Sequence, residues 1–222
     1  LFAEVAATPA QKTSWLLPLL LAIVVSLLSS YVTDTNPSFK QQMREAQSKV
    51  YDKMVEKGWM TQEHREEREI KEESQETSII RLVLTSAVKS PLELVIGAFV
   101  LFIVGRVMLS ASLGFGKYLE LYGLAMVISV VDSILKLVLM HLLDSIYANP
   151  GGGLLFYPTL DPSRFSHRLF GNLSVIGVWH IAILGIGLSK FSGKSPTVTI
   201  SIVFAIWLVI VLSLVALAGL VM

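Results

Sequence analysis

The sequence predicts an all-α fold, a polytopic integral membrane bundle of five transmembrane helices with a helical polar insert after the first. Three observations predict it. Of the 222 residues, 53% are hydrophobic and only 16% charged, against about 25% charged in soluble domains, and the mean hydropathy is +0.65. Five stretches, about residues 15–32, 92–110, 118–142, 172–190 and 197–222, reach the roughly 20 apolar residues that a membrane-crossing helix needs. The charge is also concentrated, with residues 33–77 holding 8 of the 18 Lys and Arg and 11 of the 17 Asp and Glu. Residues 1–222 therefore read as one five-helix membrane domain with 33–77 as a charged insert within it. Such a chain is not a soluble enzyme, a nucleic-acid-binding domain or a disordered segment, and a net charge of +1 gives no field for nucleic acid. With no Cys, disulfides, thiolate nucleophiles and Cys-ligated metals are excluded.

The first span, from Trp15-Leu16-Leu17-Pro18 to Tyr31, exceeds the apolar core of about 7–15 residues found in secretory leaders, so it reads as a retained span. Leu1 in place of an initiator Met predicts a further N-terminal piece. Before span two, the apolar stretch from Ser78 to Leu84 ends at Lys89-Ser90-Pro91. Proline suits a first helical turn and breaks an interior, so Pro91 is expected to start the span, with residues 78–89 as an interfacial helix. The competing reading is one Pro-kinked helix over residues 62–110.

Within the insert, Asn36 suits an N-cap, Pro37 the first helical position and Gly58 a C-terminal stop. Phe39, Met43, Ala46, Val50 and Met54 recur at helical spacing, an apolar stripe on an otherwise charged helix. The stripe suits packing on the chain's own helices or on lipid, and it is also a candidate partner-binding face through Phe39, Met43, Val50 and Met54. A second helix is expected after Thr61, charged nearly all round and supported by Arg65 with Glu69 and Arg68 with Glu72. It reads as a solvated spacer, and His64 beside Glu63 lacks the paired-ligand spacing of a metal site.

Short loops carry the orientation signal. Arg106 and Lys117 flank the second-to-third connection and Lys190 and Lys194 the fourth-to-fifth, with no acid read as their neighbour. This predicts a cytoplasmic N-terminus and cytoplasmic hairpins, with the insert, the 143–171 loop and the C-terminus outside. Arg164 and Arg168 oppose the bias. The 143–171 loop combines breakers (Asn149-Pro150-Gly151-Gly152-Gly153, Pro158, Asp161-Pro162) with aromatics (Phe156, Tyr157, Phe165, Phe170). It reads as an interfacial or re-entrant loop with aromatic anchors, or else as a lip facing a partner.

Ionisable groups inside spans are costly and count as functional candidates. The intramembrane polar cluster comprises Glu93, Asp132, Lys136 and His180, with Asn172, Ser129 and Ser133 extending it and Glu120, His141 and Asp144 toward the span ends. Asp132 and Lys136 stand four apart on one helix face, so mutual neutralisation is the favoured reading. Convergence with Glu93 and His180 would make a proton or ion relay, and a polar lock between helices is the third possibility. Gly185, Ser189 and Gly193 place small residues every fourth position, a weak signal for close helix approach. Gly114-Phe115-Gly116-Lys117 lacks the full glycine spacing of a phosphate loop. No Ser-His-Asp arrangement, HExxH or paired-Asp motif is present.

The run Trp179-His180-Ile181-Ala182-Ile183-Leu184-Gly185-Ile186-Gly187-Leu188-Ser189-Lys190, followed by Phe191-Ser192-Gly193-Lys194-Ser195, resembles the fourth span of the Yip-domain family, the Ypt-interacting membrane proteins. Leu1-Phe2-Ala3-Glu4-Val5 through Pro9, Trp15-Leu16-Leu17-Pro18 and Gly114-Phe115-Gly116-Lys117-Tyr118 are similar to its bacterial-type members. Third spans of the family often carry a central Pro, which Tyr122 to Leu135 lacks. The resemblance implies a non-enzymatic membrane protein with a cytoplasmic N-terminus. Eukaryotic relatives act in vesicle traffic through Rab-type GTPases, and bacterial relatives are often encoded near ABC exporter parts such as MacB-type permeases and periplasmic adaptors. The expectation is therefore an accessory or scaffold protein in the bacterial inner membrane. Its partners would be the lipid bilayer and other membrane proteins, an ABC transporter permease or adaptor among them, and it is compatible with a homo-oligomer. No cofactor, metal or nucleic acid is expected. The alternative is a small transporter or proton/ion relay using the intramembrane charges.

Overall fold

The computed structural model describes residues 14–73, 78–156 and 164–221. Leu1 to Pro9, the side chain of Glu72 in the expected Arg68–Glu72 pair, and Tyr157, Pro158, Asp161 and Pro162 lie outside them. Within the described residues the fold is all-α, and five helices are long and apolar enough to cross a membrane. A bilayer core offers no water to backbone N–H and C=O groups, so helices that satisfy themselves are the form a spanning segment of this composition takes.

The first span, α1, runs Leu16–Thr35 and stops at Asn36, whose extended backbone (ψ 119°) turns the chain into α2, Pro37–Glu56. Asn36 Oδ1 accepts from the backbone N–H of Ser38 (2.9 Å) and Phe39 (3.4 Å), and Pro37 occupies the first turn where its missing N–H costs nothing, as its spacing predicts. Gly58 adopts φ +71° after α2, a left-handed conformation that glycine takes without penalty. The chain then reverses into α3, Gln62–Glu73. Arg65 pairs with Glu69 (3.3 Å) as expected, and also reaches back to Asp52 of α2 (3.0 Å), so α2 and α3 form an ion-paired hairpin rather than a free spacer.

Span two departs from expectation. Ser78 is extended, α4 runs Ile79–Ile103 with Pro91 inside it, and a π-helical turn, Val104–Met108, completes a 30-residue span. Pro91 therefore does not start the helix, and residues 78–89 are not a separate interfacial piece. The kinked-helix alternative is correct in carrying the helix through Pro91, and incorrect in joining it to the insert, because Ser78 breaks the path. The lost N–H of Pro91 removes one bond in a ladder of more than twenty, which membrane helices tolerate when the rest of the helix is packed.

The third span, α5 (Phe115–Leu143), is the centre of the bundle, packed against α1, α4 and the fourth span, α7 (Val175–Ser192). A short helix, α6 (Phe165–Gly171), precedes α7. The last span, α8 (Pro196–Val221), packs chiefly on α7. Ser38 Oγ donates to Asp144 Oδ2 (3.0 Å) and Gln42 Nε2 to the Asp144 carbonyl (2.8 Å), which fixes the start of α2 and the end of α5 at the same end of the bundle. Because the spans alternate, the insert, the 143–171 loop and the end of α8 share that end, and the two hairpins share the other.

Close helix approach rests on small residues under large ones. The Tyr122 ring lies over Gly97, Tyr118 over Gly105, Leu121 against Gly187 and Trp15 against Gly123, and a Cβ at Gly185 would meet the Ile200 Cα at 2.6 Å. Of the small-residue series, Gly185 makes the helix contact, Ser189 is buried and bonds its hydroxyl to the Ile186 carbonyl, and Gly193 instead caps α7 at φ +68°.

Lys117 and Glu120 form a buried ion pair at 3.0 Å, with side chains 9% and 3% exposed. Lys117 is thus no solvated loop charge, and it does have an acid beside it, one helical turn on. Removing one partner of such a pair leaves a buried charge, a loss of about 3–5 kcal/mol, whereas replacing both with apolar side chains is often neutral. Lys117→Met should therefore lower the thermal unfolding midpoint of the detergent-solubilised chain sharply, and Lys117→Met with Glu120→Met should recover most of it.

Candidate functional site

Three polar stripes at helical spacing meet between α1, α4 and α5. Ser26, Ser29, Ser30 and Thr33 come from α1, Lys89, Ser90 and Glu93 from α4, and Ser129, Ser133 and Lys136 from α5. Together they line a cleft of about 400 Å³. Two of the hydroxyls turn back to their own helix, Thr33 Oγ1 to the Ser29 carbonyl (2.8 Å) and Ser133 Oγ to the Ser129 carbonyl (2.9 Å), which is how Ser and Thr sit inside apolar helices. A second cavity, of about 470 Å³, adjoins the first through Glu93 and Ser129 and is walled by Tyr122 and His180. A third, of about 440 Å³, opens from the first toward the insert and brings Lys40 and Arg44 of α2 and Arg81 of α4 beside Ser29, Ser30 and Thr33.

The structure divides the expected cluster. Asp132 and Lys136 share a face of α5 but make no direct ion pair with one another. The Asp132 Oδ1 accepts from Ser174 Oγ at 2.8 Å. Ser174 in turn caps α7, its oxygen accepting from the N–H groups of Ile176 (3.2 Å) and Gly177 (3.3 Å), so the bond fixes where the chain re-enters the membrane. One turn away, Ser129 Oγ and His180 Nδ1 are 2.9 Å apart, a second bridge between α5 and α7. His180 Nε2 is buried without a hydrogen-bond partner among the described residues. Glu93 and Lys136 line the first cleft and Glu93 and His180 the second, while Asp132 lines neither. Asn172 is not in the fourth span; it ends α6, donating from Nδ2 to the Arg168 carbonyl (2.8 Å).

The insert stripe is divided too. Phe39 is 1% exposed, set against Met140 and Ala148 and edge-on to His141 at 5.4 Å, so it anchors the insert to the chain itself and is withdrawn from any partner face. Met43 lines the cleft and its opening. Val50 and Met54 remain half-buried further along α2. In the 143–171 loop, Phe156 stacks on His167 (4.3 Å) and touches Phe170 (5.6 Å), and Phe165 and Phe170 are exposed, consistent with aromatic anchoring.

Sequence reasoning missed Lys89, Tyr122 and the α1 hydroxyls. The signal was available. Ser26, Ser29, Ser30 and Thr33 follow the 3, 4, 7 spacing of one helix face, and Lys89 lies four before Glu93, a relation hidden by starting the span at Pro91. Among the described residues no group of three or more His, Asp or Glu side chains is placed to hold a metal ion.

The Yip1 domain matches residues 2–218, which takes in the insert, the first four spans and all but the last residues of the fifth. The chain belongs to the Yip1 domain family. It is an integral multi-pass membrane protein of a family tied to membrane trafficking. No curated protein and no solved structure matches it significantly. In this Yip1-domain chain the polar groups of α5 and α7 hold the bundle together, and those of α1, α4 and α5 line a cleft.

Ser174→Ala removes a helix cap, a loss of about 0.5–2 kcal/mol, and takes from Asp132 a hydrogen bond that contributes about 1 kcal/mol. In a double-mutant cycle read by thermal unfolding in detergent, Ser174→Ala and Asp132→Ala should couple, while Asp132→Ala and Lys136→Ala should add. Coupling confined to the second pair would restore the neutralisation reading.

Proposed function

We propose that the chain is a non-enzymatic accessory or scaffold subunit of a membrane trafficking or export assembly, packing against other membrane proteins through its insert and span faces. The observation that carries this reading is the Asp132–Ser174 bond with the neighbouring Ser129–His180 bridge. Both place span polar groups between helices as interhelical fasteners, the use expected of a scaffold. Family membership supports the trafficking side. An ABC-type, MacB-like permease or its adaptor is the partner class we propose for a bacterial inner-membrane member. The proposed orientation puts the N-terminus in the cytoplasm and the C-terminus outside, supported by exposed Arg106, Lys190 and Lys194 and no longer by Lys117.

With Phe39 committed to internal packing and Met43, though exposed, set at the cleft opening, the part of the stripe left clear of both for a partner is Val50 and Met54. Each apolar anchor contributes about 1.5–3 kcal/mol when fully buried, and a micromolar complex totals about 8 kcal/mol. Purified from native membranes in mild detergent, the chain should carry membrane transport or trafficking components. Val50→Ser with Met54→Ser should release them while all five spans still insert. Retention of the partner at unchanged affinity would move the contact to the span faces or the 143–171 loop, and a chain that always purifies alone would overturn the scaffold reading.

A further inference from the structure

The cleft between α1, α4 and α5 has a chemistry that the scaffold reading does not use. Its charged walls are Lys89 and Lys136 against Glu93, and its opening toward the insert adds Lys40, Arg44 and Arg81 against Asp34. The balance is five cationic side chains to two acidic ones. Among the described residues neither Lys89 nor Lys136 forms an ion pair. The remaining polar lining is serine and threonine hydroxyl; those of Thr33, Ser133 and Ser129 are already engaged, and those of Ser26, Ser29, Ser30 and Ser90 can donate to an anion's oxygens.

Depth tells what kind of anion belongs there. At 1.5 Å per residue, Lys89 lies about 25 Å along the second span from the exposed Arg106, roughly the thickness of a hydrocarbon core of about 30 Å, and Lys136 lines the same cleft as Lys89. Lys89 and Lys136 therefore sit at the insert-side boundary of the bilayer, where lipid phosphates lie, and Arg81 lies about two turns further outward. From Lys89 and Glu93 an apolar groove continues inward along the outer face of α4 past Leu92 and Ile96, both more than half exposed, while Leu84 and Val88 precede Lys89 on the insert side. A soluble anion has no use for that groove, whereas an acyl chain fills it.

We propose that this cleft binds the headgroup of an anionic phospholipid, its phosphate held by Lys89 and Lys136 among the cleft hydroxyls, with one acyl chain running inward from it along Leu92 and Ile96. The site extends beyond the proposed scaffold role and is independent of it, since it asks for no protein partner.

The test uses the full chain, stripped of lipid in detergent, with phosphatidylglycerol, phosphatidylcholine of the same acyl chains, or inorganic phosphate added. Native mass spectrometry and the thermal unfolding midpoint are the readouts. Phosphatidylglycerol should be retained at one per chain and raise the midpoint, and the other two should do neither. Lys89→Gln with Lys136→Gln should weaken phosphatidylglycerol retention roughly tenfold or more, the scale expected for two basic contacts to an anionic lipid. Lys190→Gln with Lys194→Gln, which removes the same charge at the opposite end, should leave it unchanged, as should Lys89→Arg with Lys136→Arg. Equal retention of phosphatidylcholine would overturn headgroup recognition. Equal loss in both Gln pairs would reduce the effect to general surface charge, and a midpoint raised equally by inorganic phosphate would make this a site for soluble anions. If the Lys89 and Lys136 variants fail to fold, the comparison of the three additions on the native chain decides the question alone.

Discussion

The bundle depends on one helix, α5, meeting its neighbours at very short range. Lipid is as apolar as leucine, so no hydrophobic force draws finished spans together, and association has to come from close packing and from polar bonds. Here the packing comes from mismatched sizes across each seam, with Tyr122 over a glycine of α4, Tyr118 over a glycine of the π-helical turn that follows it, Leu121 over a glycine of α7, and Trp15 pressed on Gly123 of α5 itself. Tyr118 is fully buried and edge-on to both Phe102 (5.4 Å) and Phe191 (5.3 Å), so a single residue of α5 binds α4 to α7. The outlying span, α8, is held mainly through α7, where Gly185 admits the Ile200 backbone.

Polar groups take the positions that this packing leaves. At one end of α5 the Lys117–Glu120 pair is enclosed. Toward the other end, Asp132 and Ser129 cross to α7. On the face of α5 turned to α1 and α4, no comparable bond among the described residues closes the seam, and the hydroxyls and ammonium groups there border a cleft instead. The same helix is therefore cross-linked by polar bonds toward α7 and, beside its tight contacts with α1 and α4, borders a cleft on that side. That asymmetry separates a structural role for Asp132 and His180 from a ligand role for Lys89 and Lys136.

The spans, the insert and their order were legible because each rests on a local signal, namely apolar length, the Asn36-Pro37 cap and the Gly58 stop. Pro91 was misjudged because the rule against interior proline comes from helices in water, and a 30-residue span carries one missing bond without ending. Pairings were less legible. Asp132 and Lys136 satisfy the four-residue spacing, yet Asp132 bonds to Ser174, 42 residues away, because the start of α7 needs a cap at that height. Spacing along one helix says which side chains share a face, and says nothing of what the neighbouring helix offers. Phe39 illustrates the same limit, since its place in the stripe was readable and its burial under the end of α5 was not.

The insert ties the two proposed sites to one rod. Phe39 and Gln42 fasten the start of α2 to the end of α5, the latter accepting from the Ile146 N–H at 3.0 Å. On the same turns of the helix, Lys40, Met43 and Arg44 wall the opening of the cleft. Val50 lies two turns beyond Met43, about 10 Å along the axis. A helix transmits displacement along its length with little bending, so a partner that drew Val50 and Met54 aside would have to move the wall of the cleft or break the Phe39 anchor. Breaking the anchor would expose a buried aromatic and leave Asp144 without the Ser38 and Gln42 donors, a larger loss than shifting Lys40 and Arg44 across a solvated mouth. The softer response is therefore movement at the cleft opening, and occupancy of the cleft by a lipid headgroup, which would hold those basic side chains, is the factor that would stiffen α2 against it.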